Sequence, residues 1–141
     1  MSEAEWVARL GEIAAESRLV RVVSQEGGYL SFGGGISRAS LYRSALGNYN
    51  SSLTYAGRAL TKHPEVVGLT KQTLRQIYRT DPAINEAAAN SLKDMLRQGV
   101  GTTQTLPRYG SVIQYQISDG FGARWYGAGS NAGEFIGFIG P

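Results

Sequence analysis

The chain has no cysteine and only one histidine among its 141 residues. The missing cysteine excludes disulfide bonds and zinc sites built on thiolates. A single histidine with scattered carboxylates also argues against a catalytic zinc site, because such sites take three protein ligands. We therefore predict neither a metal nor a cofactor for this chain.

Long apolar runs are absent as well, and none approaches the roughly 18 residues of a membrane helix. The first residues lack the basic-then-apolar pattern of a signal peptide, so we expect a soluble chain without a membrane-spanning segment. Glycine is plentiful, with 19 residues. The glycine-rich stretch "EGGYLSFGGGIS" has neither the GxGxxG spacing nor the GK[ST] ending of a phosphate-binding loop, which predicts a turn or surface loop.

The net charge of +3 is unevenly distributed along the chain. Residues 1–54 carry five Arg against five Asp and Glu, whereas residues 55–141 carry nine Lys and Arg against six Asp and Glu. A modest basic excess in one part of a chain fits an anionic partner, either a nucleic acid or an acidic protein.

Helical patterns dominate the first two thirds of the sequence. The stretch "EAEWVARLGEIAAESRL" has the apolar spacing of an amphipathic helix, and "ISRASLYRSALGNY" predicts another. "NSSLTYAGRALTK" predicts a helix capped by Asn50 or Ser51 and ended by Pro64, since the residue before proline avoids helical geometry. "DPAINEAAANSLKDMLRQG" is the clearest helix, with Asp81 as its predicted cap.

Strand patterns follow from residue 101 onward. "SVIQYQIS" alternates with a period of two, "DG" predicts a turn, and "GARWYGAG" and "EFIGFIG" predict further short strands. The order of elements predicts an α+β fold, with N-terminal helices packed against a C-terminal antiparallel sheet of three to five strands.

Several segments together resemble the C-terminal ribonuclease toxin domains of bacterial polymorphic and contact-dependent inhibition toxins. These segments are "AGRALTKH", "INEAAANSLKDML", "GTT", "RYGSVIQYQ" and "DGFGARWYGAG…GEFIGFIGP", which cover about residues 55–141. The resemblance implies a barnase/RelE-like α+β fold and a toxin ribonuclease core at 55–141. Residues 1–54 would then be a helical extension or the end of a delivery region, with one compact domain overall.

The resemblance also implies partners and a place of action. The substrate would be RNA, with tRNA expected, and a cognate immunity protein would bind the domain. We expect delivery as part of a larger secreted or cell-surface toxin, with action in the cytoplasm of the target cell.

RNA can be cut without a metal because its own 2′-OH is the nucleophile. His63 is the candidate general base or acid, since the unperturbed pKa of histidine is about 6.5; the alternative is a structural or merely exposed side chain. Lys62 and Arg58 lie one helical turn apart and predict a cationic face toward a phosphate, unless that face is only solvated. Arg124 in "GAR" is assigned to catalysis and Arg108 to phosphate binding, although outward-facing strand arginines are ordinary.

Two threonines and one tryptophan complete the predicted site. Thr102 and Thr103 are placed in the turn between the last helix and the first strand, with Thr103 in a catalytic role and Thr102 on the substrate. The alternative for each is a local hydrogen bond to the backbone. Trp125 and Tyr126 point to opposite faces, so one should be core while the other stacks on a base. Trp125 is assigned to the substrate.

Two other functions stay open at the level of sequence. One is a toxin that consumes NAD or transfers ADP-ribose, which the glycine-rich stretch supports only faintly. The other is a non-catalytic module that binds nucleic acid or protein, which predicts salt-sensitive binding without turnover.

Overall fold

The computed structural model describes residues 36–141. The predicted helix in "EAEWVARLGEIAAESRL" and most of the glycine-rich stretch lie outside these residues. The described part contains four α-helices, a short 3₁₀ helix and four strands in chain order. These are α1 (Arg38–Ala45), α2 (Tyr55–Lys62), the 3₁₀ helix (Pro64–Val67), α3 (Lys71–Ile77), α4 (Asp81–Gln98), β1 (Val100–Leu106), β2 (Gly110–Gln116), β3 (Gly122–Tyr126) and β4 (Phe135–Ile139).

Threonine residues are the N-caps of two helices, α2 and α4. Thr54 caps α2 and Thr80 caps α4, each accepting a hydrogen bond from the backbone N–H three residues on. The predicted caps Asn50, Ser51 and Asp81 are therefore wrong. An N-cap residue has extended geometry and directly precedes the first helical residue. Each of the three predicted residues lies at least one residue away from that position.

The four strands form one antiparallel meander in the order β1-β2-β3-β4, so the predicted α+β fold is confirmed. A register shift interrupts the pairing of β3 with β4: Arg124 pairs with Gly137, but Trp125 pairs with Phe135. One residue of β4, Ile136, is thus unpaired and forms a bulge, which bends a strand and redirects its side chains.

The hydrophobic core lies between the helices and one face of the sheet, and Trp125 lies within it. The indole is fully buried and donates a hydrogen bond from Nε1 to the carbonyl of Leu41, 2.9 Å away. Its ring meets Tyr115 and Phe135 edge to face, with centroids 6.1 Å and 5.6 Å away. Such edge-to-face pairs add to the stabilisation from burial alone.

Helix α1 contributes Leu41 and Tyr42 to the same core as α2 and α4. The predicted boundary between residues 54 and 55 stays a prediction, but within 36–141 the residues on its two sides share one core. None of the helices in this part of the chain has the length and apolar character needed to cross a membrane.

Candidate active site

A cleft of about 390 Å³ lies between the end of α2 and the sheet strands β3 and β4. Its lining combines cations, tyrosines and the last strand, and none of the lining residues is acidic. The residues that line it are Tyr49, Tyr55, Arg58, Ala59, Lys62, His63, Arg108, Tyr109, Arg124, Phe135, Ile136, Gly137, Phe138 and Ile139. Five of the predicted site residues, His63, Lys62, Arg58, Arg108 and Arg124, thus meet in one place.

His63 ends α2 and immediately precedes the 3₁₀ helix, because Pro64 cannot continue the α-helical hydrogen bonding. Its side chain is 48% exposed, so solvent and ligands reach the ring. Its Nδ1 lies 3.1 Å from Oε2 of Glu65. No residue in 36–141 forms a hydrogen bond with Nε2, which leaves that nitrogen available to a ligand.

Glu65 was not identified from the sequence, and it determines the tautomer of His63. The pKa of Glu65 is lowered below its ordinary 4.5, first by a hydrogen bond from its own backbone amide and then by His63. The carboxylate is therefore ionised at neutral pH and only accepts hydrogen bonds. Since Nδ1 must then carry the proton, Nε2 of the neutral ring is the basic nitrogen.

Arg58 and Lys62 lie one turn apart on α2, as predicted, and both line the cleft. The Arg58 guanidinium lies over the ring of Tyr49, with its carbon 5.1 Å from the ring centroid. Its Nε is buried and has no hydrogen-bond partner among the described residues. Lys62 is exposed, so its ammonium group can move toward a bound anion.

A row of amide side chains orients Arg124 on the outer face of the sheet. Its Nε donates to Oε1 of Gln114 at 2.8 Å, and Nε2 of Gln114 donates to Gln116 at 3.1 Å. Gln114 is 6% exposed, and this row satisfies its buried amide. The terminal nitrogens of the Arg124 fork form no hydrogen bond with residues 36–141, so the fork can bind a phosphate through two donors.

The turn between β1 and β2 supplies the remaining cation. Arg108 is exposed and lies over the ring of Tyr109, at 5.4 Å from the centroid. The Tyr109 ring in turn meets Tyr126 edge to face at 6.0 Å. Tyr109 thus both packs against the sheet and lines the cleft.

Thr103 does not enter the cleft. It was predicted to lie in a turn, but β1 begins at Val100, directly after the helix-ending Gly99, and includes it. Thr103 pairs with Ile113, which pairs with the buried Trp125. Directly opposite residues share a face of a sheet, so Thr103 lies on the helix side and away from Arg124.

Thr102 is also a strand residue rather than a turn residue. It pairs with Gln114, which pairs with Arg124, so Thr102 lies on the same face of the sheet as Arg124. It lies two strands from Arg124, however, and lines a different depression near the end of β2.

The prediction that Trp125 stacks on a base is wrong. Its ring is fully buried, and its only polar atom is bonded to a backbone carbonyl of α1. The alternation of side chains along a strand correctly places Trp125 and Tyr126 on opposite faces of the sheet. Alternation alone, however, does not determine which face packs against the helices.

Within 36–141, no group of three or more His, Asp or Glu side chains lies close enough together to hold a metal ion. The cleft instead offers one imidazole with a defined basic nitrogen and four cations around a space open to solvent. Such a set can transfer a proton and stabilise negative charge on a bound phosphodiester.

Comparison with known proteins identifies a family for this chain. The family model of the CdiA C-terminal tRNase toxin domain matches residues 42–140, which is more than half of the chain. No curated protein and no solved structure matches it. The predicted resemblance to a C-terminal ribonuclease toxin is thereby confirmed: the chain belongs to the CdiA C-terminal tRNase toxin domain family.

Proposed function

We propose that the chain is a metal-independent endoribonuclease that cuts tRNA by attack of a 2′-OH on the adjacent phosphodiester. The observation that carries this proposal is the cleft in which His63, held by Glu65, lies among four cations. The family name supplies the substrate class, and the geometry supplies a chemical route.

His63 is the proposed general base. Its Nε2 takes the proton of the 2′-OH while the 2′ oxygen forms a bond to phosphorus. The imidazolium that results is stabilised by Glu65, which accepts the hydrogen bond from Nδ1. A positioned base of this kind accelerates such a step by about 10²–10⁴-fold.

The cations are proposed to act on the phosphate itself. Arg124, already oriented by Gln114, binds the non-bridging oxygens, which carry more negative charge in the transition state than in the substrate. A preorganised donor of this kind contributes about 3–4 kcal/mol to the barrier reduction. Lys62, adjacent to His63, protonates the 5′ oxygen as its bond to phosphorus breaks.

The products of this route are a 2′,3′-cyclic phosphate and a free 5′-OH. The proton from the 2′-OH remains on His63, and the proton from Lys62 leaves with the 5′ oxygen. Both groups exchange protons with water afterwards, which restores the starting state without any cofactor.

The family name also supports a delivery route and a partner. CdiA-type C-terminal toxin domains suggest transfer from the cell surface into a target cell, and we propose that this domain acts there on cytoplasmic tRNA. A cognate immunity protein is the proposed inhibitor. A cleft lined by four cations and no carboxylate fits an acidic surface on that inhibitor.

The proposal is tested by incubating purified protein with tRNA in EDTA and comparing the wild type with two variants. We expect cleavage by the wild type and by Arg79→Ala, an exposed arginine outside the cleft, and at least a hundredfold loss, roughly, in His63→Ala. Intact tRNA in the wild-type reaction contradicts the proposal, as does unchanged cleavage by His63→Ala. Loss of NAD with undamaged RNA would favour the alternative toxin chemistry.

A further inference from the structure

Two tyrosines at one side of the cleft are exposed without an evident role in the core. Tyr49 and Tyr55, here called the tyrosine pair, are 47% and 46% exposed. Their rings meet edge to face with centroids 6.0 Å apart, and both line the cleft that holds His63. Large aromatic surface next to a cationic cleft is a feature of proteins that bind single-stranded nucleic acid.

The loop that carries Tyr49 is held in place by its own hydrogen bonds. Oδ1 of Asn50 accepts the backbone N–H groups of Leu53 and Ser52, at 2.7 Å and 2.9 Å. Asn85 on α4 donates to the carbonyl of Ser52 at 2.9 Å. Because the loop is tied both internally and to α4, Tyr49 does not need to be ordered by a ligand.

A further hydrogen bond joins the same loop to the ion pair between Arg75 and Asp81. The hydroxyl of Ser52 donates to Oδ2 of Asp81 at 2.7 Å, and Arg75 donates to the other oxygen of Asp81 at 2.6 Å. The hydrogen bonds from Arg75 and then Ser52 lower the pKa of Asp81 below its ordinary 3.8. Because Asp81 stays ionised, its hydrogen bonds with Ser52 and Arg75 persist over the neutral pH range.

Arg58 connects the tyrosine pair to the phosphate-binding part of the cleft. Its guanidinium lies over one face of the Tyr49 ring, which is still 47% exposed as a residue, and Arg58 also lines the cleft with Lys62 and His63. A phosphate bound by these cations therefore places its attached nucleoside beside the pair. The observed arrangement provides a cation for the backbone and an aromatic surface for the base within one site.

We propose that the tyrosine pair stacks on the base of an unpaired nucleotide next to the scissile phosphate. The inference rests on the proposed function and deepens it by naming the substrate class as a loop or single-stranded end of tRNA. In a duplex each base is already stacked between its neighbours, so a protein ring reaches a base only where the nucleotide is splayed out. The pair takes the role that the sequence had assigned to Trp125.

The test measures binding and stacking apart from cleavage. The probe is a short 2′-O-methyl RNA that carries 2-aminopurine, offered either single-stranded or as a duplex. The modified 2′ position cannot attack, and the fluorescence of 2-aminopurine falls when it stacks. We expect the wild type to quench the single strand and to bind it more tightly than the duplex.

Substitutions of the two tyrosines then separate the contribution of the aromatic ring to binding from that of the hydroxyl group. Tyr49→Ala and Tyr55→Ala should each weaken single-strand binding, with about a tenfold loss for Tyr49→Ala and recovered fluorescence. Tyr49→Phe should bind like the wild type, because stacking needs only the ring. Ile77→Ala, which removes an exposed apolar side chain outside the cleft, is the matched control and should change nothing.

Each contrary outcome has a distinct meaning. If the wild type cleaves tRNA but Tyr49→Ala and Tyr55→Ala bind and quench as the wild type does, the stacking site is overturned while the proposed function stands. Equal loss in Tyr49→Phe and Tyr49→Ala also overturns stacking, because the hydroxyl would then carry the effect. If the wild type neither binds nor cuts RNA, both proposals fail together.

Discussion

At the scale of single residues, the proposed chemistry depends on which nitrogen of His63 is basic. A half-exposed imidazole without a partner would sample both tautomers. Glu65 restricts it to the one with the proton on Nδ1, at a heavy-atom distance of 3.1 Å. In the proposed reaction the role of Glu65 is positional, since it would act on the substrate only through His63.

Replacing Glu65 therefore has a predicted size and pH dependence. Glu65→Ala should lower the cleavage rate about tenfold, while Glu65→Gln, whose amide oxygen can still accept from Nδ1, should lose less. Because the pKa of Glu65 lies below 4.5 in the folded chain, its carboxylate is ionised from about pH 5 to 8, and the ratio of wild-type to Glu65→Ala rates should stay above one throughout this range. The ratio should shrink at lower pH as the carboxyl becomes protonated.

Initial rates of tRNA cleavage across that pH range provide the check. Equal rates for wild type and Glu65→Ala at neutral pH would show that the hydrogen bond does not matter to the reaction. Circular dichroism of both variants controls for folding.

His63 and Lys62 lie at the end of a helix and line the cleft, and the helix end was predictable because Pro64 is a local signal. Glu65 was missed although it lies two residues from His63. The separation of two residues between a histidine and a glutamate is visible in the sequence. Only the 3₁₀ geometry after Pro64, however, shows that the two side chains form a hydrogen bond. The error on Trp125 had another cause, since the buried face of a strand depends on distant helices.

At the scale of elements, the contact between α2 and α4 holds His63 in place. Gly57 on α2 faces Asn85 on α4, and a Cβ at Gly57 would lie only 2.0 Å from Oδ1 of Asn85. That oxygen already accepts from the backbone N–H and the hydroxyl of Thr54, at 3.0 Å and 3.2 Å. The close approach of the two helices therefore requires glycine here.

Gly57→Ala should consequently destabilise the fold by about 1–3 kcal/mol, because Asn85 cannot move without losing its bonds to Thr54. Helix propensity alone predicts the opposite sign, a gain of up to about 1 kcal/mol. Urea unfolding measures the difference. Gly137→Ala, where an added Cβ meets nothing within 4 Å, is the control for stability. A more stable Gly57→Ala variant would contradict the packing described here.

The elements themselves were largely predictable, whereas their ends were not. Periodicity gave the long helix α4 and the antiparallel strands, because both patterns repeat over several residues. Caps were misassigned, since Asn50 is bonded within its own loop and Thr54 takes the cap position instead. The assignment of Thr102 and Thr103 to a turn failed because β1 begins at once after Gly99.

At the scale of the whole molecule, cations from separate elements converge on one cleft. Arg58 and Lys62 come from α2, Arg108 from the β1–β2 turn and Arg124 from β3. The composition indicates an excess of basic residues after residue 54. Only the tertiary structure shows that four of these basic residues line the same cleft. A concentrated set of cations binds a polyanion with a steep dependence on salt.

RNA binding should therefore weaken predictably as salt rises. With four cations in the cleft, log affinity for a non-cleavable single strand should fall with log salt at a slope of about −3. Arg108→Ala should make the slope shallower by about 0.7, while Arg79→Ala, outside the cleft, should leave it unchanged. A common slope for all three proteins would place the phosphate contacts elsewhere.

The most direct test of the account is the chemistry of the RNA ends left after cleavage of tRNA in EDTA, determined by mass spectrometry. We predict that the wild type leaves a 2′,3′-cyclic phosphate and a 5′-OH, and that His63→Ala leaves the tRNA uncut. Fragments that end in a 3′-OH and a 5′-phosphate would contradict attack by the 2′-OH, and cyclic ends produced by His63→Ala at the wild-type rate would remove His63 from the reaction.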